Sequence, residues 1–283
     1  MKQRVITGIL FTVAILLFFV PGFFFPGFLV ALWILVCAIA TFEMIRCVQA
    51  KRLRPGRFLC AAGAFLSVLP VILRPFLTTA VAAAAVYSLS ALMLAMLSVI
   101  FLPLRRDGED AFADGIATAG IFLYVSFPIA CANITSLYFR SGWYFLAIGL
   151  ITPWVSDVFA YFSGSLIGKH KIVPHISPKK TWEGCAGGVV GSMLITALFF
   201  FLFIQPLVGN KVGLPALLLF GAFTGGAMSV LSQLGDWMAS AIKRWAGIKD
   251  FGKILPGHGG ILDRFDSAFF TLPAAFALAL ILG

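Results

Sequence analysis

The chain has 283 residues, of which 61% are hydrophobic and only 11% are charged, and its formal net charge is +10. A water-soluble domain of this length could not cover so much apolar surface with so few charged side chains, so this composition, with a mean hydropathy of +1.03, excludes a soluble globular protein. The basic excess does not indicate nucleic-acid binding, because the sequence contains no soluble module or basic stripe that would carry such a site.

Apolar runs long enough to cross a bilayer recur along the whole chain. A hydrocarbon core about 30 Å thick takes roughly 20 apolar residues of helix, and a helix satisfies its own backbone polar groups. We therefore predict an all-α, polytopic integral membrane protein with about nine transmembrane helices in a single membrane domain, 1–283. The predicted spans are 5–20, 28–45, 58–73, 76–104, 115–139, 143–162, 187–208, 214–240 and 265–282.

The basic residues predict the orientation. Lys2 and Arg4 precede an apolar run, as in a signal peptide, but no small-residue cleavage site follows and many spans do, so we expect a retained first helix. Positive residues favour the cytoplasmic side. With nine spans and a cytoplasmic N-terminus, the only basic residues outside, of 21 in total, are Arg74, Arg140 and Lys211.

The eleven acidic residues divide into two groups. The first group lies at predicted helix ends or in a loop, where exposure to solvent is expected: Glu43, Asp107, Glu109, Asp110 and Asp114. The second group accompanies two basic segments in the second half: Asp157, Glu183, Asp236, Asp250, Asp263 and Asp266. Asp157 stands inside an apolar predicted helix, where a charged side chain is costly and usually faces a cavity or a partner.

Three carboxylates suggest a metal site. Asp263 and Asp266 are three positions apart, on one face if that turn is helical, and Asp236 lies near the same predicted side of the membrane. Convergent carboxylates suit Mg²⁺, which is commonly held by one or two of them together with substrate phosphates. The alternative is a set of salt bridges with Lys243, Arg244 or Arg264 that stabilises the loop. We interpret Asp236, Asp263 and Asp266 as metal ligands.

The loop before the last predicted helix is suited to phosphate. Its glycine-rich turn contains Gly257, His258, Gly259 and Gly260. Glycines allow positive φ and close backbone approach, and successive N–H groups in such turns bind anions. Lys249 and Lys253 would add point charges and Arg264 a bidentate fork.

A second polar segment, GKHKIVPHISPKKTWEG at 168–184, precedes the seventh predicted helix. Lys179, Lys180 and Thr181 lie just before that helix, whose N-terminal amides would favour an anion. For Lys169 and Lys171 a role in topology is an equal alternative. The small-residue spacing of Gly187 with Gly191, and of Gly221 with Gly225, predicts close helix packing and no chemistry.

The string SAIKRWAGIKDFGKILPGHGGILDRFD at 240–266 resembles the signature of the phosphatidate cytidylyltransferase, or CDP-diacylglycerol synthase, family. The strings DVFAYFSGSLIGKHK from Asp157 and SPKKTWEG from Ser177 resemble two further shared segments of that family, in the same order. The resemblance covers roughly 154 to 283. The first half is similar only as a set of helices.

The resemblance implies a multi-pass inner (plasma) membrane enzyme with a cytoplasmic site that joins CTP and phosphatidic acid into CDP-diacylglycerol and pyrophosphate, using Mg²⁺. It implies a homodimer as a further expectation. Residues 1–140 would form N-terminal helices and 141–283 the catalytic helices and loops. We expect catalytic roles for Asp236, Asp263 and Lys180, with the two aspartates as metal ligands and Asp266 nearby. The expected substrate-binding residues are Asp157, Lys179, Thr181, Lys243, Arg244, Lys249, His258, Gly259, Gly260 and Arg264.

Two other classes of function remain open at this point. An ion-coupled transporter would also place carboxylates in helices, with Asp157 as a relay, but transporters bind near the midplane whereas these polar residues lie on one predicted face. The nearer alternative is another CTP-using membrane enzyme that acts on a different lipid phosphate or transfers a phosphoryl group to a polyprenol.

Overall fold

The computed structural model describes residues 2–106, 108, 110–174, 177, 179–209 and 212–283, with side chains from residue 6 onward. These residues are predominantly helical and form no β-strand. The helices are α1 Lys2–Gly22, α2 Gly27–Gln49, α3 Arg57–Leu66, α4 Leu69–Ile72, α5 Ala80–Arg105, α6 Ala111–Tyr138, α7 Gly142–Ile167, α8 Trp182–Phe199, α9 Gln205–Val208, α10 Leu214–Ala246, α11 Leu262–Phe265 and α12 Ala268–Leu282. A π-helical turn, Phe200–Ile204, joins α8 to α9.

The described residues contain six helical stretches long and apolar enough to cross a membrane, namely α2, α5, α6, α7, Trp182–Val208 and α10. Shorter apolar helices occupy Ile6–Gly22, Arg57–Leu66 and Ala268–Leu282. The all-α class and the polytopic membrane architecture are thus confirmed. The count of nine spans and the cytoplasmic N-terminus stay predictions, and Lys211, one of the residues on which the orientation depends, lies outside the described part of the chain.

The third predicted span is divided in the structure. It was expected as one helix over 58–73, but α3 ends at Leu66 and α4 begins at Leu69. Pro70 has no N–H with which to continue the ladder of α3. The carbonyl of Ser67 instead accepts a 2.9 Å hydrogen bond from Asn133 Nδ2 of α6, which satisfies a buried backbone group at the break.

The chain divides into two compact units, Met1–Trp143 with Lys243–Phe265 and Tyr144–Ile242 with Asp266–Gly283. In the first unit α6 is the central helix, because it packs against α2, α3 and α5. In the second unit, a side-chain carbon at Gly187 would overlap Ser163, and one at Gly191 would overlap Phe159. These glycines bring α7 and α8 close together, as their spacing predicts.

The carboxylates of the first half are not all exposed, and that expectation was wrong for two of them. Asp114 is 4% exposed, with Arg106 Nη1 at 2.9 Å and the Arg54 backbone N–H at 2.6 Å. Glu43 is 1% exposed. Burial is tolerated at both because each carboxylate has hydrogen-bond donors around it. Asp110 is exposed as expected, and Asp107 and Glu109 fall in the part of the chain that is not described.

Candidate functional site

A tight hairpin forms the centre of the predicted phosphate loop in the first unit. The His258 N–H donates a 2.9 Å hydrogen bond to the Leu255 carbonyl, and the Leu255 N–H donates one of 2.9 Å to the Gly259 carbonyl. Pro256 and Gly257 occupy the corner, with φ at +79° for Gly257. Proline followed by a residue with positive φ is the pattern of a type II turn, which only glycine adopts without strain.

Two carboxylates, Asp263 of α11 and Glu43 of the distant helix α2, bind the backbone next to this hairpin. Asp263 Oδ2 accepts hydrogen bonds from the backbone N–H groups of Phe251 at 2.8 Å and Gly260 at 2.9 Å. Glu43, on α2, accepts from the N–H groups of Ile261 at 3.1 Å and Leu262 at 2.8 Å. The backbone at the start of α11 therefore has charged acceptors in place of solvent.

Glycine is required where these carboxylates approach the loop. A side-chain carbon at Gly252 or at Gly260 would overlap the Glu43 carboxylate, and one at Gly259 would lie 2.7 Å from Asp263 Oδ2. The sequence predicted Gly259 and Gly260, but not Gly252, to approach a ligand. In the structure Gly252 and Gly260 approach a buried side chain of the same protein.

Asp263 is also the ion-pair partner of Lys243. Lys243 Nζ lies 2.7 Å from Asp263 Oδ1, and the two side chains are 14% and 3% exposed. The ammonium group stands 5.2 Å from the centroid of the Phe251 ring. The loop-stabilising salt bridge considered as an alternative for the acidic residues is therefore present at Asp263, and Lys243 neutralises that carboxylate.

The outer side of the hairpin borders a polar cavity of about 520 Å³, which we call the hairpin pocket. Its walls are Lys249, Asp250, Gly252, Lys253, Leu255, Pro256, Gly257, His258, Gly259 and Arg264. Among the described residues, none of its three long cationic side chains forms an ion pair with a carboxylate. The nitrogen Nδ1 of His258 is buried and has no hydrogen-bond partner among the residues that the structure describes. This arrangement suits an anionic ligand.

A second polar cavity, of about 490 Å³, lies in the second unit, and we call it the α8 pocket. Its walls are Asp157, Ala160, Tyr161, Gly164, Ser165, Lys171, Lys179, Lys180, Thr181, Gly184, Cys185, Gln233 and Asp236. Thr181 caps α8, since its Oγ1 accepts a 3.2 Å hydrogen bond from the Gly184 N–H. The N-terminal turn of α8 and three lysines thus face one cavity, an arrangement that favours anions.

Lys180 and Asp236 form an ion pair in the wall of the α8 pocket. Lys180 Nζ also stands 5.6 Å from the centroid of the Trp237 ring, and Asp236 Oδ1 accepts a 3.4 Å hydrogen bond from Ser240 Oγ. The two charged side chains are 24% and 28% exposed. They are more accessible than the pair of Lys243 with Asp263.

Apart from Arg244 and Asp266, the predicted site residues fall into three sets. Those in the hairpin pocket are Lys249, His258, Gly259 and Arg264, and those in the α8 pocket are Asp157, Lys179, Lys180, Thr181 and Asp236. Asp263, Lys243 and Gly260 lie behind the hairpin and bind its backbone or each other. Arg244 is exposed and lines neither pocket.

The predicted metal ligands differ in how well they fit Mg²⁺. Within the described residues, no group of three histidine, cysteine, aspartate or glutamate side chains is suited to hold a metal ion. Asp236 is accessible in a cavity wall and keeps acceptor capacity beyond its two donors. Asp263 already accepts from three donors, and Asp266 Oδ1 accepts from the N–H of Ser267 at 2.7 Å. Asp236 is therefore the best-fitting ligand of the three.

Sequence reasoning missed Glu43 and Gly252 as parts of this site. Both act through contacts between distant segments, and a lone glutamate near a helix end is usually solvated. The signal that could have identified Glu43 is its position inside an apolar helix, in which Arg46 is the only other charged residue.

Comparison with known proteins shows similarity along the whole chain. The model of the cytidylyltransferase family matches residues 2–282. A phosphatidate cytidylyltransferase of Bacillus subtilis is 31% identical over 283 residues, covering 98% of this chain and 97% of that protein. One from Staphylococcus aureus strain COL is 31% identical over 279 residues, 96% of each chain. One from Staphylococcus haemolyticus is 40% identical over 149 residues, 51% of this chain and 54% of that protein.

Proposed function

The chain belongs to the cytidylyltransferase family, and on that basis we propose that it transfers the cytidylyl group of CTP to phosphatidic acid, giving CDP-diacylglycerol and pyrophosphate. The observation that carries this proposal is the similarity to the Bacillus subtilis phosphatidate cytidylyltransferase, because it extends over 98% of the chain. The two cation-lined pockets support it, since both substrates carry phosphate.

The reaction does not require a nucleophilic side chain from the protein, because the phosphate of the lipid is itself the nucleophile. A phosphate monoester is already anionic at neutral pH, because its second pKa is about 6. One of its oxygens attacks the α-phosphorus of CTP, the bond from that phosphorus to the bridging oxygen breaks, and pyrophosphate leaves with the bonding electrons. The protein has to align two polyanions and neutralise their charge.

The side chains of the hairpin pocket perform part of that neutralisation. Arg264 is suited to bind two phosphate oxygens with its planar fork, and Lys249 and Lys253 add point charges. The lysines of the α8 pocket and the N-terminal turn of α8 supply a second anion site. Lys180 also pairs with Asp236 in the wall of this pocket.

Mg²⁺ would neutralise phosphate oxygens as charge develops. Asp236, Asp263 and Asp266 remain its proposed ligands, and the surroundings of Asp236 favour that residue most. We place the protein in the plasma membrane with its site on the cytoplasmic side, where CTP is available, and a homodimer is a further expectation from the family.

The test is an assay of the purified protein in detergent with Mg²⁺, CTP and phosphatidate, in which pyrophosphate and CDP-diacylglycerol are both measured. Equal amounts of the two products are expected. Formation of CDP in place of pyrophosphate with a lipid alcohol would indicate phosphoryl transfer instead, and ion-coupled uptake by liposomes without nucleotide would indicate a transporter. Either result, without CDP-diacylglycerol, would overturn the proposal.

A further inference from the structure

An apolar cavity of about 370 Å³ lies in the first unit between α1, α2 and the hairpin. Its walls include Phe11 and Ala14 of α1 together with Leu35 and Ile39 of α2. Apart from Thr7, every side chain that lines it is apolar. We call it the tail cavity.

The tail cavity and the hairpin pocket share a wall. Leu255 and Pro256 line both of them. The type II turn therefore separates an apolar space from one that contains Lys249, Lys253 and Arg264. A side-chain carbon at Gly8 of α1 would lie 3.5 Å from His258 Nε2, so α1 approaches the hairpin closely on this side.

We propose that the tail cavity holds one acyl chain of the lipid substrate while the hairpin pocket holds its phosphate. The inference rests on the proposed function, and it assigns the lipid to this site. An amphiphile with a dianionic head and a hydrocarbon tail matches the two adjoining cavities in both charge and polarity. A free nucleotide would leave the apolar side unoccupied.

The contribution of the cavity is positional. An acyl chain that moves from the bilayer into the tail cavity gains little free energy from the hydrophobic effect, because lipid tails are as apolar as the cavity walls. A chain held beside Leu255 and Pro256 nevertheless fixes the distance between the glycerol backbone and Arg264. Such alignment of a reacting phosphate contributes to the rate of group transfer.

The cavity is tested by filling it. Ala14→Trp and Ile39→Trp each place a large side chain in the tail cavity. Val13→Trp is the matched control, since Val13 neighbours Ala14 on α1, is 47% exposed and does not line the cavity. Each variant is assayed with dioleoyl phosphatidate and with dihexanoyl phosphatidate, whose chains are too short to need the cavity.

For both cavity variants we expect kcat/KM for dioleoyl phosphatidate to fall roughly tenfold, because the reacting phosphate is no longer aligned by a chain in the cavity. The kcat/KM for dihexanoyl phosphatidate and the KM for CTP should stay within about twofold of the wild type. Val13→Trp should match the wild type with both lipids. Equal losses with long and short chains, or none, would overturn the assignment of the cavity.

A binding experiment distinguishes the substrate tail from bulk lipid. Photoactivatable phosphatidate with a diazirine in its chain should label peptides of α1 and α2 in the wild type and less in Ile39→Trp. Equal labelling by a phosphatidylglycerol probe of the same chain length would overturn the proposal in favour of a bilayer lipid. If the wild type makes no CDP-diacylglycerol from either phosphatidate, the proposed function itself fails.

Discussion

Glu43 accepts a 2.8 Å hydrogen bond from the backbone N–H of Leu262, although the two residues are 219 positions apart in the chain. Leu262 begins α11, a helix of only four residues. A single turn is not stable by itself, because nucleating a helix costs more than one hydrogen bond returns. Glu43 is thus a positioning residue for Asp263 and Arg264, which stand on that turn.

Replacement of Glu43 tests this role. Glu43→Gln keeps the shape but is neutral and has a single acceptor oxygen, so one of the two N–H groups loses its acceptor. Glu43→Ala leaves both unsatisfied, at about 1–3 kcal/mol each. We expect kcat/KM to fall at least tenfold in Glu43→Gln at temperatures well below its melting point. Gln49→Ala, at another polar position of α2, should retain wild-type activity. A folded Glu43→Gln with unchanged kinetics would contradict the assignment.

The ion pair between Lys243 and Asp263 is expected to stabilise the folded protein. Lys243→Met would leave a buried carboxylate without its counter-charge, which costs about 3–5 kcal/mol. Thermal unfolding in detergent should show this loss, and the double variant Lys243→Met/Asp263→Asn should recover part of it because the unpaired charge is also removed. Arg244→Met, at the exposed neighbouring position, should change stability by no more than about 0.5 kcal/mol. Equal melting temperatures for Lys243→Met and Arg244→Met would argue against the pair.

The glycines beside Glu43 should tolerate no side chain. Gly260→Ala places a carbon where the Glu43 carboxylate lies, so either the loop or α2 has to move, and we expect a loss of stability of about 1–3 kcal/mol together with most of the activity. Gly120→Ala in α6 is the control, because no atom lies within 4 Å of the added carbon. It should be neutral or stabilising by up to about 1 kcal/mol. The measurement is the activity of each variant relative to the wild type, compared at equal concentrations of folded protein.

Asp236 should determine how much Mg²⁺ the protein requires. If this carboxylate binds the ion, Asp236→Asn raises the Mg²⁺ concentration for half-maximal activity by at least about tenfold. Ser240→Ala removes only the 3.4 Å hydrogen bond to the same carboxylate and should shift that concentration little. An Mg²⁺ titration of both variants checks the prediction. An unchanged Mg²⁺ requirement in Asp236→Asn would exclude Asp236 as a ligand.

The helices were predictable because their signal is local. Apolar runs of about 20 residues identify membrane helices wherever they occur, and the long spans over 28–45, 76–104 and 115–139 correspond to α2, α5 and α6. The break at Ser67 has a local signal in Pro70, but the partner of the freed Ser67 carbonyl, Asn133 of another helix, was not predictable in the same way. The glycine-rich turn was predicted from its residues, and its type II geometry follows from Pro256 and Gly257.

The individual roles of the charged residues were less predictable. Asp263 and Lys243 look like site residues in the sequence, and in the structure they bind each other and the back of the hairpin. Lys180 and Asp236 pair across 56 positions. A charge pattern shows that such residues are concentrated in one segment, but partners are chosen by packing that brings distant segments together.

The sequence by itself determined that this protein is helical and lies in a membrane, because hydrocarbon requires every backbone polar group to be satisfied within its own segment. It also determined where the polar loops are, since charges are rare within the spans and concentrate between them. Only the tertiary structure decided that Glu43 holds the start of α11, and that Leu255 and Pro256 divide an apolar cavity from a cationic one. Those relationships depend on contacts between segments far apart in the chain, which no local pattern of residues encodes.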